Sequence, residues 1–142
     1  MSAEPFTCVL PVRWSDQDLN GHVNNARVIT LVEELRISAM RSWYEGLPRR
    51  QNVALVRAFD VSFEREVHFG PELLGRAWIS RIGRTSFTMG HELVQEGQTC
   101  VLLDAVLVSV DGSTGRPAPL DDSLREILER QLRLAPQGST PA

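Results

Sequence analysis

There is no lysine in this chain: all fifteen basic residues among its 142 are arginine. Without a lysine amine the protein cannot form a Schiff base with a carbonyl substrate, nor supply the cation of a Gly-rich phosphate loop. The bias toward arginine reads as codon usage rather than function. Cysteine is scarce as well. Cys8 and Cys100 lie far apart, each in an apolar strand-like run, which suits buried free thiols better than a disulfide framework or a metal cluster. Apolar runs stop well short of the roughly 18 residues that a membrane span needs. Met1 to Thr7 lacks both the cationic region and the apolar core of a secretion signal, so the expected setting is the cytoplasm, with no membrane partner. A net charge of −3 and no basic cluster leave no footprint for nucleic acid. His22, His68 and His91 show no metal-ligand spacing, so the sequence assigns no metal, and no cofactor is expected. No G-x-S-x-G is present, and the chain is too short for the hydrolase fold that uses it.

What is present is an ordinary globular composition, 42% hydrophobic and 23% charged. The length fits a single domain over residues 1–142, with a core from about 6 to 132 and a frayed tail at 135–142. Phe6 to Trp14 has strand character, and Pro11 assigns it to an edge or bulge. Ala26 to about Trp43 has helical periodicity: Val28, Val32, Leu35, Ala39 and Trp43 line one face, flanked by Ile29, Leu31 and Met40. Arg36 falls inside that arc and Glu33 at its margin, three residues away, so the two are expected to pair. Glu45-Gly46-Leu47-Pro48 ends the helix. The period then changes to two. Val53 to Val67 reads as a long strand bent near Arg57-Ala58. Leu73 to Ile82, Ser86 to Gln95 and Thr99 to Val110 follow, the last two joined by a hairpin signal at Glu96-Gly97-Gln98. Asp122 or Ser123 could cap a final helix that runs through Leu132. One antiparallel five-stranded sheet curled around one helix, an α+β arrangement, accounts for this order. A single helix cannot cover five long strands, so a second copy of the chain is expected to complete the burial.

The chemistry concentrates between the first strand and the helix. Arg13 to Asn25 holds two carboxylates, Asp16 and Asp18, an Asn20-Gly21 turn and an asparagine pair, Asn24 and Asn25. It opens directly into the helix, whose N-terminus presents unpaired amides and a partial positive charge. Amides of Gly21, His22 or Val23 could polarise a carbonyl, and a nearby carboxylate could act as nucleophile or as general base on water.

This stretch, Arg13-Trp14-x-Asp16-x-Asp18-x-x-Gly21-His22-Val23-Asn24-Asn25 with Glu33 and Arg36 behind it, resembles the 4-hydroxybenzoyl-CoA thioesterase family of hotdog-fold acyl-CoA thioesterases. Phe63-Glu64-Arg65-x-Val67-x-Phe69-Gly70, Arg81 to Ser86 and Thr114 to Pro117 resemble later segments of that family, so the likeness covers about residues 6–130. The resemblance implies a hotdog fold and hydrolysis of acyl-CoA, as a homodimer or a dimer of dimers. It implies Asp16 as the catalytic carboxylate and the turn through Gly21, His22, Val23 and Asn24 as the segment whose amides polarise the thioester carbonyl. Asp18 then shapes the loop and Asn24 and Asn25 order the helix entry, while Arg84 and Ser86 are candidates for contacting CoA. Two positions depart from the family pattern. Val28 replaces a frequent aromatic residue and would reshape the acyl pocket, and Glu66 replaces a frequent proline. Two other functions compete: an acyl-CoA-binding module without turnover, and a dehydratase for which His22 is the one candidate histidine.

Overall fold

The computed structural model describes residues 3–45 and 52–133. The helix stop at Gly46 to Pro48, most of the link to Asn52 and the 135–142 tail lie outside the described residues. Strands β1 (Phe6–Leu10), β2 (Asn52–Phe63), β3 (Leu73–Ile82), β4 (Ser86–Gln95) and β5 (Gln98–Asp111) form one antiparallel sheet in the order β1-β3-β4-β5-β2. Helix α1 (Asn25–Trp43) packs on β1, β3 and β4, and the short helix α2 (Asp122–Arg130) packs on β3. This is the hotdog architecture, and it is α+β.

Local chemistry explains the boundaries. β1 stops before Pro11 and lies at a sheet edge, where a residue without an amide donor is tolerated. The bend in β2 is a register shift between Val56 and Ala58. β2 ends at Phe63, four residues short of the extent read from alternation. Its continuation leaves the ladder because the Glu64 and Arg65 amides both turn onto the Cys100 carbonyl (2.8 and 3.0 Å), and the Val67 carbonyl accepts from the Val23 amide (2.8 Å). Glu96 (φ 52°) and Gly97 (φ 74°) join β4 to β5 in the left-handed pair that a two-residue hairpin requires. The cap of α2 is Asp121, one residue before the expected positions: its carboxylate accepts from the Leu124 amide at 2.9 Å. α2 ends at Arg130 rather than Leu132 because the next residues bond to β3, through Ile79 N–H to Gln131 O (3.1 Å) and Arg133 N–H to Ile79 O (2.8 Å). Cys8 and Cys100 are both free thiols.

Helix and sheet meet tightly. Val28, Leu31, Val32, Leu35 and Ala39 are buried, whereas Met40 and Trp43 are only partly covered. Leu35 lies directly over Gly75, where an added Cβ would stand 2.9 Å from a Leu35 methyl, so glycine admits the close approach. Coverage is one-sided. α1 lies over the β1-β3-β4 half of the sheet, which leaves Val56, Phe59 and Phe63 exposed on the core-side face of edge strand β2, while Val53 and Leu55 are exposed on its other face.

His91 lies on the core face of β4 and is 1% exposed, with Nδ1 3.1 Å from the Leu103 carbonyl. Burial lowers its pKa to about 4; the Leu103 hydrogen bond opposes this and nearby Arg36 reinforces it. Between about pH 4 and the ordinary histidine value of about 6.5, the unfolded chain takes up a proton that the folded chain refuses. Folding stability is therefore expected to fall as pH drops from 6.5 toward 4, by up to about 1.4 kcal/mol per unit from this group. His91→Gln should flatten that slope in urea titrations at pH 7 and pH 5. Equal slopes in the two proteins would show that another group sets the dependence.

Candidate active site

After Pro11 the chain makes a single 3-10 turn, Trp14–Asp16, and this turn buries the Asp16 side chain. One carboxylate oxygen accepts from the Arg13 amide at 2.8 Å. The other accepts from the Arg13 guanidinium, at 3.1 Å from Nη2 and 3.3 Å from Nε, and stands 3.7 Å from Arg27 Nε on the first turn of α1. Burial alone would raise the pKa of Asp16. The Arg13 hydrogen bonds and the two guanidinium charges outweigh it and hold the carboxyl below its usual range. Asp16 is thus a half-caged, ionised carboxylate at neutral pH.

The loop then doubles back as a small hairpin. Gln17 bridges Val23, the Gly21 amide donates to the Asp18 carbonyl (3.1 Å), and the Asp18 amide donates to the His22 carbonyl (2.8 Å). Gly21 sits at φ 77°, the left-handed residue that closes a three-residue hairpin loop. The Asp18 side chain accepts from the Asn20 amide at 2.8 Å, so its contacts serve the turn. Asn24 caps α1, its side chain accepting from the Ala26 amide at 2.7 Å. Replacing it with alanine is expected to cost about 0.5–2 kcal/mol in urea unfolding. No change in the unfolding midpoint would mean that the cap contributes nothing.

The amides divide into two groups. Those of Gly21, Val23 and Asn24 already donate within the protein, to Asp18 O, Val67 O (2.8 Å) and Asp16 O (2.9 Å). Among the described residues, the amides of His22, Asn25 and Arg27 have no acceptor. Donors at the helix terminus therefore sit slightly later in the chain than the turn itself. Sequence reasoning missed this because spacing locates a helix start but not the capping bonds that consume its donors.

Asn25 and Val28 line a cavity of about 220 Å³ with Asp18, His22, Val23, Phe63, Glu66 and Val101. Val28 is 2% exposed and forms part of its apolar wall, while the departure noted at Glu66 puts a carboxylate at its polar side. Asp16 is not among its lining residues; its carboxylate faces Arg13 and Arg27 instead. Arg84 and Ser86 lie at the other end of the sheet. Ser86 pairs with Val108 while Leu93, level with the loop, pairs with Val101, and seven residues of strand span about 23 Å. One chain does not bring them to the loop. Arg36 and Glu33 approach to 4.0 Å beneath β2, beside a second cavity of about 180 Å³ walled by Ile29, Val32, Val56, Phe59 and Leu103.

Sequence comparison places these features in a family context. The model of the thioesterase-like superfamily matches residues 12–128. A protein of Bacillus subtilis (strain 168), YsmA, whose own function is uncharacterized, is 29% identical over 119 residues, which is 82% of this chain and 80% of that one. A structure described as a predicted thioesterase from Bacillus stearothermophilus superposes with a TM-score of 0.82 at 29% identity, over 93% of this chain and 99% of the other. A thioesterase from Thermus thermophilus, solved with coenzyme A and zinc, superposes with a TM-score of 0.76 at 31% identity, over 91% of this chain and 95% of the other.

Proposed function

The chain belongs to the thioesterase-like superfamily, and from that premise we propose that it hydrolyses acyl-CoA thioesters to a carboxylic acid and free CoA. The observation that carries this reading is the ionised Asp16 carboxylate held in a turn whose backbone bonds directly to the start of α1. In this reading the thioester carbonyl lies against the unpartnered amides of Asn25 and Arg27, where the helix dipole favours a developing oxyanion. Asp16 then either attacks the carbonyl carbon or takes a proton from the attacking water. The C–S bond breaks and CoA leaves as thiolate, to be protonated from solvent; in the nucleophilic route the acyl group is left on Asp16 as a mixed anhydride, which water then cleaves to the free acid and the restored carboxylate. The coenzyme A bound to the Thermus thermophilus relative and the narrower likeness to 4-hydroxybenzoyl-CoA thioesterases support CoA as the carrier.

The working unit in this proposal is a homodimer. The exposed apolar residues on the two faces of β2 and the exposed Trp14 and Leu19 of the site loop need cover, and an edge strand with free backbone groups is a ready pairing surface. A partner would also supply Arg84 and Ser86 from a direction that one chain cannot. Light scattering on the eluting protein should give about twice the 15.9 kDa chain mass; a monomer at micromolar concentration would remove this part of the proposal.

The clamp of Arg13 and Arg27 on Asp16 favours one competing reading, an acyl-CoA-binding module whose carboxylate is structural. Single-turnover hydrolysis in 18O water tests the reaction. Label in Asp16 marks it as nucleophile, and label confined to the product acid marks attack of water on the acyl carbonyl, directly or on an anhydride. Substrate bound but no label in either would leave the binding module standing.

A further inference from the structure

Three potential metal ligands converge beside the site loop although the sequence separates one of them from the other two by more than forty residues. His22 belongs to the loop; Glu66 and His68 belong to the extended segment after β2. The bond from the Val23 amide to the Val67 carbonyl (2.8 Å) lays these two pieces side by side. In an extended segment successive side chains alternate, so buried Val67 turns inward and its neighbours Glu66 and His68 both turn outward toward His22. His22 Nε2 lies 3.0 Å from a Glu66 carboxylate oxygen, and the His22 and His68 rings meet edge-on at 5.0 Å. One ligand atom from each of the three lies within 4.8 Å of the others.

The scaffold beneath is rigid. Gln95, a buried side chain, accepts from the His68 amide (3.0 Å) and donates to the His68 carbonyl (2.9 Å), and it also donates to the Pro71 carbonyl (3.0 Å). The main chain of His68 is therefore pinned on both sides by one side chain, while its imidazole stays free to bind. Ligand atoms about 2.0–2.2 Å from one ion stand roughly 3.3 Å apart in tetrahedral geometry, so small side-chain rotations close the triad.

We propose that His22, Glu66 and His68 form a site for one divalent transition-metal ion of the zinc class. Two imidazoles and a carboxylate select such an ion over magnesium or calcium, which prefer all-oxygen sets. Three protein ligands leave a coordination position open to solvent, and the half-buried His22 and exposed Glu66 and His68 let the ion exchange. Bound there, the ion ties the site loop to the 64–68 segment at the wall of the 220 Å³ cavity.

Calorimetric titration of the intact chain with zinc chloride alone tests this, with magnesium chloride as the control. One zinc per chain and no magnesium binding is the expected result. His68→Ala and Glu66→Gln should each weaken zinc by more than about tenfold, the loss that follows even from removing an outer partner of a ligand. Zinc at a hundredfold excess over its dissociation constant should raise the melting temperature by about 5–10 °C in the parent and by no more than about half of that in His68→Ala. Circular dichroism identifies any variant that has lost its fold, and the two substitutions act on exposed side chains. Absence of zinc binding, equal affinity in the variants, or loss of binding in Cys100→Ser with retention in His68→Ala would each overturn the proposal.

Discussion

Asp16→Asn is expected to lower kcat/KM on the best thioester substrate by about 10²–10⁴-fold. The amide has the size of the carboxylate but a single acceptor oxygen, so it can keep the Arg13 amide bond that shapes the 3-10 turn while its NH2 replaces the oxygen that faces the Arg13 guanidinium. What it lacks is the negative charge, and with it both nucleophilicity and basicity. The same charge governs the acid limb. Because Arg13 and Arg27 hold the Asp16 pKa below its usual range, its protonation cannot account for activity lost between pH 7 and pH 5. A folded-state pKa lowered in this way contributes stability above the unfolded-state value, and that stability is lost only as pH falls through the lower one. Full activity in the Asp16→Asn enzyme would assign the carboxylate a purely structural role. Arg13→Ala offers a second view. Freed of one cation, Asp16 should titrate at a higher pH, and the acid limb should shift upward while the Asp16→Asn loss remains.

Leu35→Ala is expected to destabilise the fold by about 2–5 kcal/mol, as for other fully buried leucines, with the unfolding midpoint in urea as the readout. Its position gives the prediction a sharper form. Leu35 occupies the space above Gly75, so alanine at Gly75 alone crowds the Leu35 methyls, at 2.9–3.0 Å from the added Cβ. In the double variant the new methyl enters the room that the leucine has left and keeps only the contact with Leu10, whose methyl stands 3.0 Å away. The two costs should therefore sum to more than the double variant shows, by about 0.5–3 kcal/mol of coupling. Strict additivity would mean that helix and sheet relax independently and that the close approach at Gly75 carries no constraint.

Much of the architecture was legible because it rests on periodicity. The two-residue alternation of β3, β4 and β5 and the spacing of Val28, Val32, Leu35 and Ala39 each follow from one buried face. The hairpin at Glu96-Gly97 was legible for another reason, since few residues adopt positive φ in succession. Boundaries were less so. The end of β2 and the cap at Asp121 depend on where individual carbonyls and amides find partners, and a hydrophobic pattern carries no record of that. In the candidate site, the turn at Gly21 and the helix entry behind it were readable from the Asn20-Gly21 pair and the onset of helical spacing. The clamp on Asp16 was not, because Arg27 reaches it only once α1 has formed eleven residues later. Nor could spacing foresee the meeting of His22 with Glu66 and His68, which depends on the single backbone bond between Val23 and Val67. Arg84 and Ser86 mark the opposite case: a likeness in sequence suggests a shared site, and the strand ladder puts them about 23 Å along the sheet.

Release of free thiol from a panel of short-chain, long-chain and aromatic acyl-CoAs, read with a thiol-reactive dye, is the direct test of hydrolysis at Asp16. Continuous release is expected on at least one member of the panel, proportional to enzyme and reduced by about 10²–10⁴-fold in Asp16→Asn. Saturable binding of acyl-CoA without thiol release across the whole panel would contradict it.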